Sequence, residues 1–167
     1  MGLNEDLERI AAQERELVLP KLDAQIAWDL GVLLRTLAAE RGLAVVVDVR
    51  RFGQPLFYAA MEGTTPDNVE WVRRKSNVVA RFHRSSYAVG MTLKMKATTL
   101  LEGYGLPVAD YAVDGGSFPL IVENAGSVGS VTVSGLPQRD DHNLVVEALS
   151  ALLGRDFEAM RMGPESA

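Results

Sequence analysis

The sequence predicts an α/β fold of the α+β kind, in which helices pack on an antiparallel sheet. Two observations carry this prediction: two pairs of strand-like segments are each joined by a short turn, and helical segments separate the pairs. The strand–helix–strand alternation of a Rossmann fold or an α/β barrel is missing. With 167 residues, 47% of them hydrophobic, the chain suits one globular domain over residues 1–167.

The first forty residues predict two helices. Apolar residues recur at steps of three and four from residue 4 to residue 18, and Pro20 marks the end of that helix. We expect residues 1–20 to form an N-terminal helical clip or an oligomer contact. The second helix follows Asp23 and carries a clear apolar stripe, and Gly42 is placed to end it.

The middle of the chain predicts a hairpin and two more helices. Residues 44–49 are rich in valine and residues 56–60 form the next strand-like run, so the two predict a hairpin with Gly53 in its turn. A long helix is expected over about residues 64–84, because its Thr-Thr-Pro start supplies a cap and an early proline. Another helix is expected over about residues 85–101.

The last third predicts a second hairpin and a closing helix. Residues 117–123 and 127–134 are alternating or β-branched, and the Asn-Ala-Gly segment between them suits a turn. A helix then runs to Gly154, which is placed to end it. We expect the tail from about Gly163 to be loose.

Composition excludes several classes of function. The net charge of −5 lacks the basic footprint of nucleic-acid binding, and the absence of cysteine excludes disulfides, thiolate chemistry and cysteine metal sites. No apolar run reaches the roughly 20 residues that cross a bilayer, and the acidic N-terminus is unlike a signal peptide. We therefore predict a cytoplasmic protein with neither a nucleic-acid nor a membrane partner.

Lys75 is the most informative residue of the long helix. On a helical wheel it lies with Ser76 and His83 on the inner faces, while the arginines crowd into the remaining arc. A buried charge needs a partner, so Lys75 should meet a carboxylate or line a cavity open to an anionic ligand. Two interpretations stay open, since a structural ion pair satisfies the same requirement.

The chain has only two histidines. His83 has apolar neighbours, which indicates a satisfied core residue, whereas His142 follows Asp140 and Asp141 and is typical of an exposed, acid-rich helix start. Two histidines cannot form an all-histidine zinc site within one chain, and we predict no metal site. Ser134 lies at a strand-to-helix transition without the glycine pattern of a nucleophile elbow.

Several segments together resemble the haem-degrading domain family, also called GlcG-like or HbpS-like, and its uncharacterised cytoplasmic UPF branch. The resemblance covers nearly the whole chain. It rests on Arg50-Arg-Phe-Gly-Gln-Pro-Leu-Phe-Tyr58, Trp71-Val-Arg-Arg-Lys75-Ser, Arg81-Phe-His-Arg-Ser-Ser-Tyr87, Gly115-Gly-Ser-Phe-Pro119-Leu and Gly129-Ser-Val-Thr-Val-Ser-Gly-Leu-Pro-Gln-Arg139. It implies a profilin-like fold with a five-stranded antiparallel sheet flanked by helices, and a homo-oligomer.

These observations favour an oligomeric small-ligand-binding protein whose ligand is anionic or a tetrapyrrole. The alternatives are an enzyme that uses Lys75 in the cleft, and an assembly partner without a small ligand. The resemblance implies haem as a possible cofactor, whereas the absence of histidine from the N-terminal helices argues against a strong iron site. No catalytic residue is assigned, and the candidate ligand-binding residues are Lys75, Ser76, His83, Gly115, Gly116, Pro119, Ser134, Gly135 and His142.

Overall fold

The computed structural model describes residues 2–165, which form one five-stranded sheet and seven helices. The helices are α1 (Leu3–Glu16), α2 (Ala24–Arg41), α3 (Pro66–Phe82), α4 (Ser86–Met95), α5 (Leu100–Tyr104), α6 (Gln138–Leu153) and α7 (Phe157–Met160). The strands are β1 (Val18–Leu19), β2 (Val46–Arg51), β3 (Gln54–Ala60), β4 (Ser117–Val122) and β5 (Gly126–Ser134).

The sheet has the strand order β1-β4-β5-β2-β3, and both predicted hairpins are present. All pairs are antiparallel except β1 with β4, which is parallel. The sequence predicted the antiparallel pairs, but it assigned residue 18 to the first helix. That helix ends two residues earlier, since proline at position 20 cannot continue it, and the apolar residues before the proline instead extend the edge of the sheet.

The two faces of the sheet differ in polarity. Helices α2 and α6 cover an apolar face that includes Val47, Phe118 and Val131. Helix α3 covers β4, β5 and β2 on the other face, where the alternating side chains are polar and buried. They are Asp48, Ser117, Ser130, Thr132 and Ser134. A helix that packs on buried polar groups must satisfy them with its own polar side chains, and this requirement leads to Lys75.

One predicted helix is two helices in the structure. The sequence predicted a helix over residues 85–101, but α4 ends at Met95 and α5 starts at Leu100. Ala97 between them has a positive φ of 51°, which an α-helix cannot contain, and Thr99 caps α5 by accepting the N–H of Glu102. The short α7 was not predicted.

Helix α1 packs against the rest of its own chain. Ile10 contacts Tyr87, Met91 and Met162, and Asp6 accepts two hydrogen bonds from the Arg139 guanidinium. The apolar face that suggested an oligomer contact is therefore covered within the chain. The described part of the tail also makes contacts, since the Gly163 carbonyl accepts from Arg139. No helix within residues 2–165 is long and apolar enough to span a membrane.

Candidate functional site

Lys75 lies inside the protein, and its partner is a carboxylate. Its side chain is only 3% exposed, and Nζ lies 3.0 Å from Asp141 Oδ2 at the start of α6. The same amine lies 3.4 Å from the Val133 carbonyl and 3.4 Å from Ser134 Oγ. The Lys75 ammonium group thus links α3 to β5 and to α6.

Asp141 is held by the backbone as well as by Lys75. Its Oδ1 accepts the N–H of Leu136 at 2.9 Å, and its Oδ2 accepts the N–H of Gly135 at 3.3 Å. Burial raises the pKa of this carboxyl to about 6, although the Lys75 charge and both backbone hydrogen bonds favour its ionised form. Asp141 therefore takes up a proton more readily than an ordinary aspartate.

The candidate glycines allow the backbone to approach this pair closely. Gly116 has a φ of 133°, and a Cβ there would lie 2.3 Å from the Val133 carbonyl and 2.9 Å from Lys75 Nζ. Gly135 has a φ of 150°, and a Cβ there would lie 2.2 Å from the Ala44 carbonyl. Gly115 donates its N–H to Gln138 Oε1. Gly116 therefore leaves space for the Lys75 amine, whereas Gly135 packs against the backbone of residue 44 and Gly115 binds a side chain of α6.

An open cleft of about 300 Å³ lies above the ion pair, and we call it the Lys75 cleft. Its floor is Lys75 with Asp141, and its walls come from α3, from the loop before β4 and from the start of α6. The wall side chains include Asn68, Trp71, Asp114, Ser134 and Gln138. The arrangement offers a flat aromatic surface, amide and hydroxyl hydrogen-bonding groups, and a buried ion pair at the floor.

Ser76 and His83 lie in a different cleft, beyond the other end of β5. This cleft of about 200 Å³ is lined by the C-terminal part of α3, the β2–β3 hairpin and the start of β5, and we call it the Arg50 cleft. Ser76 is buried as predicted, and its hydroxyl donates to the Arg73 carbonyl.

The prediction that His83 is a core residue was wrong. His83 is exposed, because it follows the last residue of α3 and has the left-handed φ of 55°. A residue in that conformation no longer follows the helical wheel that placed it inside.

The prediction that His142 is exposed was also wrong. His142 is 0% exposed, lies between the rings of Phe118 and Tyr87, and bonds Gln13 of α1. Burial lowers its pKa to about 3. The acidic neighbours misled the interpretation, because Asp141 is buried against Lys75 while only Asp140 is exposed.

Pro119 lines neither cleft. It is buried in β4 opposite Ser130 of β5, so its role within the described residues is to pack in the sheet. Four further cleft residues were not predicted from the sequence: Trp71, Asp114, Gln138 and Asp141. The predicted burial of Lys75 required either a carboxylate partner or a cavity open to an anion, and no spacing in the sequence links position 75 to position 141.

The sequence profile described as "Haem degrading protein HbpS-like" matches residues 22–150. A "UPF0303 protein" of Paraburkholderia phymatum is 57% identical over 162 residues, which cover 97% of this chain and 98% of that protein. A UPF0303 protein of Burkholderia thailandensis is 59% identical over the same shares of the two chains. The resemblance read from the sequence is thus confirmed.

Solved structures have the same fold. The Ybr137w protein superposes with a TM-score of 0.83 at 27% identity, covering 92% of this chain and 94% of that one. HbpS gives a TM-score of 0.63 at 21% identity over 80% and 91% of the two chains. A PduOC–haem complex gives 0.65 at 16% identity over 78% and 94%. The profilin-like architecture predicted from the resemblance is thereby confirmed.

Neither histidine is placed to ligate an enclosed haem. His142 is fully buried with Nε2 bonded to Gln13, so it cannot reach a ligand. His83 is accessible, but the cleft beside it is smaller than the roughly 300–1,000 Å³ of typical ligand pockets. Neither histidine of the described residues lies inside a pocket of sufficient size, and no chemistry through haem is assigned to this chain.

Proposed function

The chain belongs to the HbpS-like haem-degrading protein family, and on that premise we propose that it is a small-ligand-binding protein whose ligand occupies the Lys75 cleft. One observation carries the proposal: the Lys75–Asp141 pair is buried at the floor of an open, walled cleft. A carboxyl whose pKa is shifted by burial and that lies in a cleft marks a functional-site candidate.

The cleft indicates the class of ligand. The indole of Trp71 gives a flat surface, and Arg74 stacks on its ring at 4.8 Å, which fixes that surface in place. The amide of Asn68 and the hydroxyl of Ser134 supply hydrogen-bonding groups beside the Lys75 amine. A small molecule with a flat portion and one anionic group matches these walls, with the anion directed to Lys75.

Charge balance indicates that the anion binds together with a proton. The floor is neutral as an ion pair, and Asp114 adds a negative charge at the wall, so an anion would otherwise meet a net negative site. A proton on Asp141 releases Lys75 to pair with the ligand. Because burial raises the Asp141 pKa to about 6, this proton is taken up under mildly acidic conditions.

Titration calorimetry tests the proposal. We would titrate the protein with aromatic and aliphatic carboxylates, biliverdin and haemin at pH 5.5 and pH 7.5, in buffers of different ionisation enthalpy. For the site that depends on Trp71 we expect one ligand per chain, tighter binding at pH 5.5, and a proton uptake that is larger at pH 7.5, where Asp141 of the free protein is ionised, than at pH 5.5. Trp71→Ala should weaken binding about three- to tenfold, whereas Trp28→Ala on the far side of the sheet should not. An affinity that changes neither in Trp71→Ala nor with pH would contradict the proposal.

An enzymatic role is the second candidate, and the raised pKa of Asp141 favours it. A carboxyl that titrates near pH 6 suits a general acid, with Lys75 as an electrostatic group beside it. This role would be supported if the protein converts a ligand found by calorimetry and if Asp141→Asn abolishes that conversion. Unchanged ligand after prolonged incubation would leave binding as the function.

We also propose that the protein forms a homo-oligomer through the edge of its sheet instead of through α1. Strand β3 is an edge strand, and a second copy supplies an identical strand that can pair with its free side. Trp28 and Val32 are exposed on α2, and Trp28 contacts Phe57 of β3. Light scattering should show an oligomer that Trp28→Glu dissociates, and a monomeric wild-type protein would refute this assembly.

A further inference from the structure

The Arg50 cleft carries a second inference, independent of the Lys75 cleft. It lies at the opposite end of β5, and its lining includes Arg50, Phe52, Ser127, Ser130 and His83. We propose that this cleft is a further binding site, which takes the carboxylate or phosphate group of a flat aromatic acid. Two of its lining residues have unfavourable backbone conformations, and its guanidinium has free donors.

Phe52 occupies a position that local structure does not favour for phenylalanine. Phe52 and Gly53 form the two-residue loop of the β2–β3 hairpin, with φ angles of 48° and 79°. Such loops need positive φ at both positions, and asparagine followed by glycine is the usual choice. The Phe52 side chain is also 80% exposed, so burial does not explain it. Neither the turn nor the core accounts for an aromatic ring at this place.

His83 shows the same discrepancy at the end of α3. Helices α2, α5 and α6 each end at a glycine in the left-handed conformation, at Gly42, Gly105 and Gly154. Helix α3 ends in the same conformation with His83, whose φ is 55°. Its imidazole is exposed and makes no hydrogen bond to residues 2–165. Backbone conformations of this kind cluster at functional sites, and both Phe52 and His83 line this cleft.

Arg50 supplies the charge that recognises an anion. Its Nε donates to Asp48 Oδ1 at 2.7 Å, and Asp48 is fully buried, so the guanidinium is fixed from below. The two terminal nitrogens of Arg50 have no partner within residues 2–165. A guanidinium with two free nitrogens matches the oxygen spacing of a carboxylate or phosphate.

Two hydroxyl groups extend this donor set. Ser127 and Ser130 line the cleft, and neither hydroxyl has a hydrogen-bond partner in the described part of the chain. The volume of about 200 Å³ accepts an anionic group but not a whole drug-sized ligand. The aromatic part of the ligand would therefore remain at the mouth, where the exposed Phe52 ring can stack on it.

NMR titration of the full chain tests this site, with benzoate, phenyl phosphate and inorganic phosphate as separate probes. Amide shifts of Gly53 and Gly129 report on the Arg50 cleft, whereas those of Gly135 and Leu136 report on the Lys75 cleft. We expect saturable shifts at the Arg50 cleft with an aromatic acid, and weaker binding of inorganic phosphate, which lacks a ring. If benzoate binds more tightly than phenyl phosphate, the site prefers a carboxylate; the opposite order indicates a phosphate.

The decisive variant is Phe52→Asn, which places a favoured residue in the turn. We expect it to raise Tm by about 2–4 °C and to weaken the binding of the aromatic acid about three- to tenfold. Ala97→Gly is the matched control, because Ala97 is also exposed with a positive φ but lines neither cleft; it should raise Tm without changing binding. Absence of saturable shifts at Gly53 and Gly129, or unchanged binding in Phe52→Asn, would overturn the proposal.

Discussion

His142 Nε2 and Gln13 Oε1 lie 2.8 Å apart, and this hydrogen bond joins α6 to α1 where neither side chain is exposed to water. The Gln13 amide nitrogen donates to the Met160 carbonyl, so its oxygen faces the imidazole and His142 must donate from Nε2. The imidazole is thus neutral in the folded protein. Its Nδ1 has no partner within the described residues, so a second proton there would be buried without an acceptor.

Acid should destabilise the fold through His142. Burial lowers its pKa to about 3, below the ordinary 6.5, so the unfolded chain binds the proton more readily. The stability from neutral His142 is fully present above pH 6.5 and is lost as the pH falls toward 3. We expect a loss of about 2 kcal/mol by pH 5. Urea unfolding at several pH values measures it.

Two variants separate this effect from general acid denaturation. His142→Gln cannot titrate, so its unfolding free energy should depend less on pH between 6.5 and 4 than that of the wild type. His83→Gln, at the exposed histidine, should keep the wild-type pH dependence. Equal pH dependence in all three proteins would contradict the assignment.

The two histidines show what the sequence could and could not predict. The period of α3 was read correctly, as the burial of Val72, Lys75 and Ser76 shows. His83 was misplaced because the helix ends just before it, and helix ends are set by the local backbone conformation and not by the apolar period. His142 was misplaced because its cover comes from α1, more than a hundred residues earlier in the chain. Long-range packing of that kind leaves no local pattern.

The attachment of α1 should depend on Asp6. Its two oxygens accept from Arg139 at 2.8 and 3.0 Å, and both side chains are less than a tenth exposed. Asp6→Ala leaves the guanidinium buried without its carboxylate, which should destabilise the protein by about 3–5 kcal/mol.

Hydrogen exchange would show where that stability is lost. In Asp6→Ala we expect the amide exchange rates to increase more in α1 than in β2 and β5, because α1 packs outside the sheet. Glu8→Ala, at an exposed position of the same helix, should change stability by less than about 0.5 kcal/mol. A similar effect of both variants would mean that the Asp6–Arg139 pair does not attach the helix.

Gly116 should not tolerate a side chain. In Gly116→Ala the new Cβ would meet the Val133 carbonyl and the Lys75 amine, and the φ of 133° is strained for alanine. We expect a loss of about 3 kcal/mol or more. Gly126→Ala is the matched control, because Gly126 also has a positive φ but nothing within 4 Å of a new Cβ, so its loss should be about 1 kcal/mol. Thermal unfolding of both variants distinguishes crowding from backbone strain. Equal losses of stability in the two would exclude crowding at Gly116.

The sequence allowed the burial of Lys75 to be predicted, but not which carboxylate would pair with it. A helical wheel placed Lys75 inside, and the cost of burying a charge required a partner, which the structure supplies as Asp141. The partner itself was not predictable, since the sequence contains 22 acidic residues and only the packing of α6 beside α3 selects one. Trp71 was visible as an apolar helix residue, but its place in a cleft wall depends on the loop that carries Asp114.

Loss of Lys75 should give a stability defect that mild acid repairs. Lys75→Met leaves Asp141, 1% exposed, with only two backbone donors, which should cost about 3–5 kcal/mol at pH 8. Burial already raises the Asp141 pKa to about 6, and removal of the Lys75 charge raises it further. A carboxyl with a raised pKa stabilises the fold in its protonated form, and that stability is lost as the pH rises through the folded-state pKa. The difference between variant and wild type should therefore shrink from pH 8 to pH 5.

Two further variants complete this test by urea unfolding at both pH values. Lys75→Met combined with Asp141→Asn removes the unpaired charge while keeping an acceptor for a backbone N–H, so it should be more stable than Lys75→Met alone at pH 8. Lys96→Met removes an exposed lysine and should stay within about 0.5 kcal/mol of wild type. If Lys75→Met were as stable as Lys96→Met at pH 8, the ion pair would contribute nothing to the fold. The burial of Lys75 would then be explained by the ligand that we propose for its cleft, and binding in Lys75→Met would be lost.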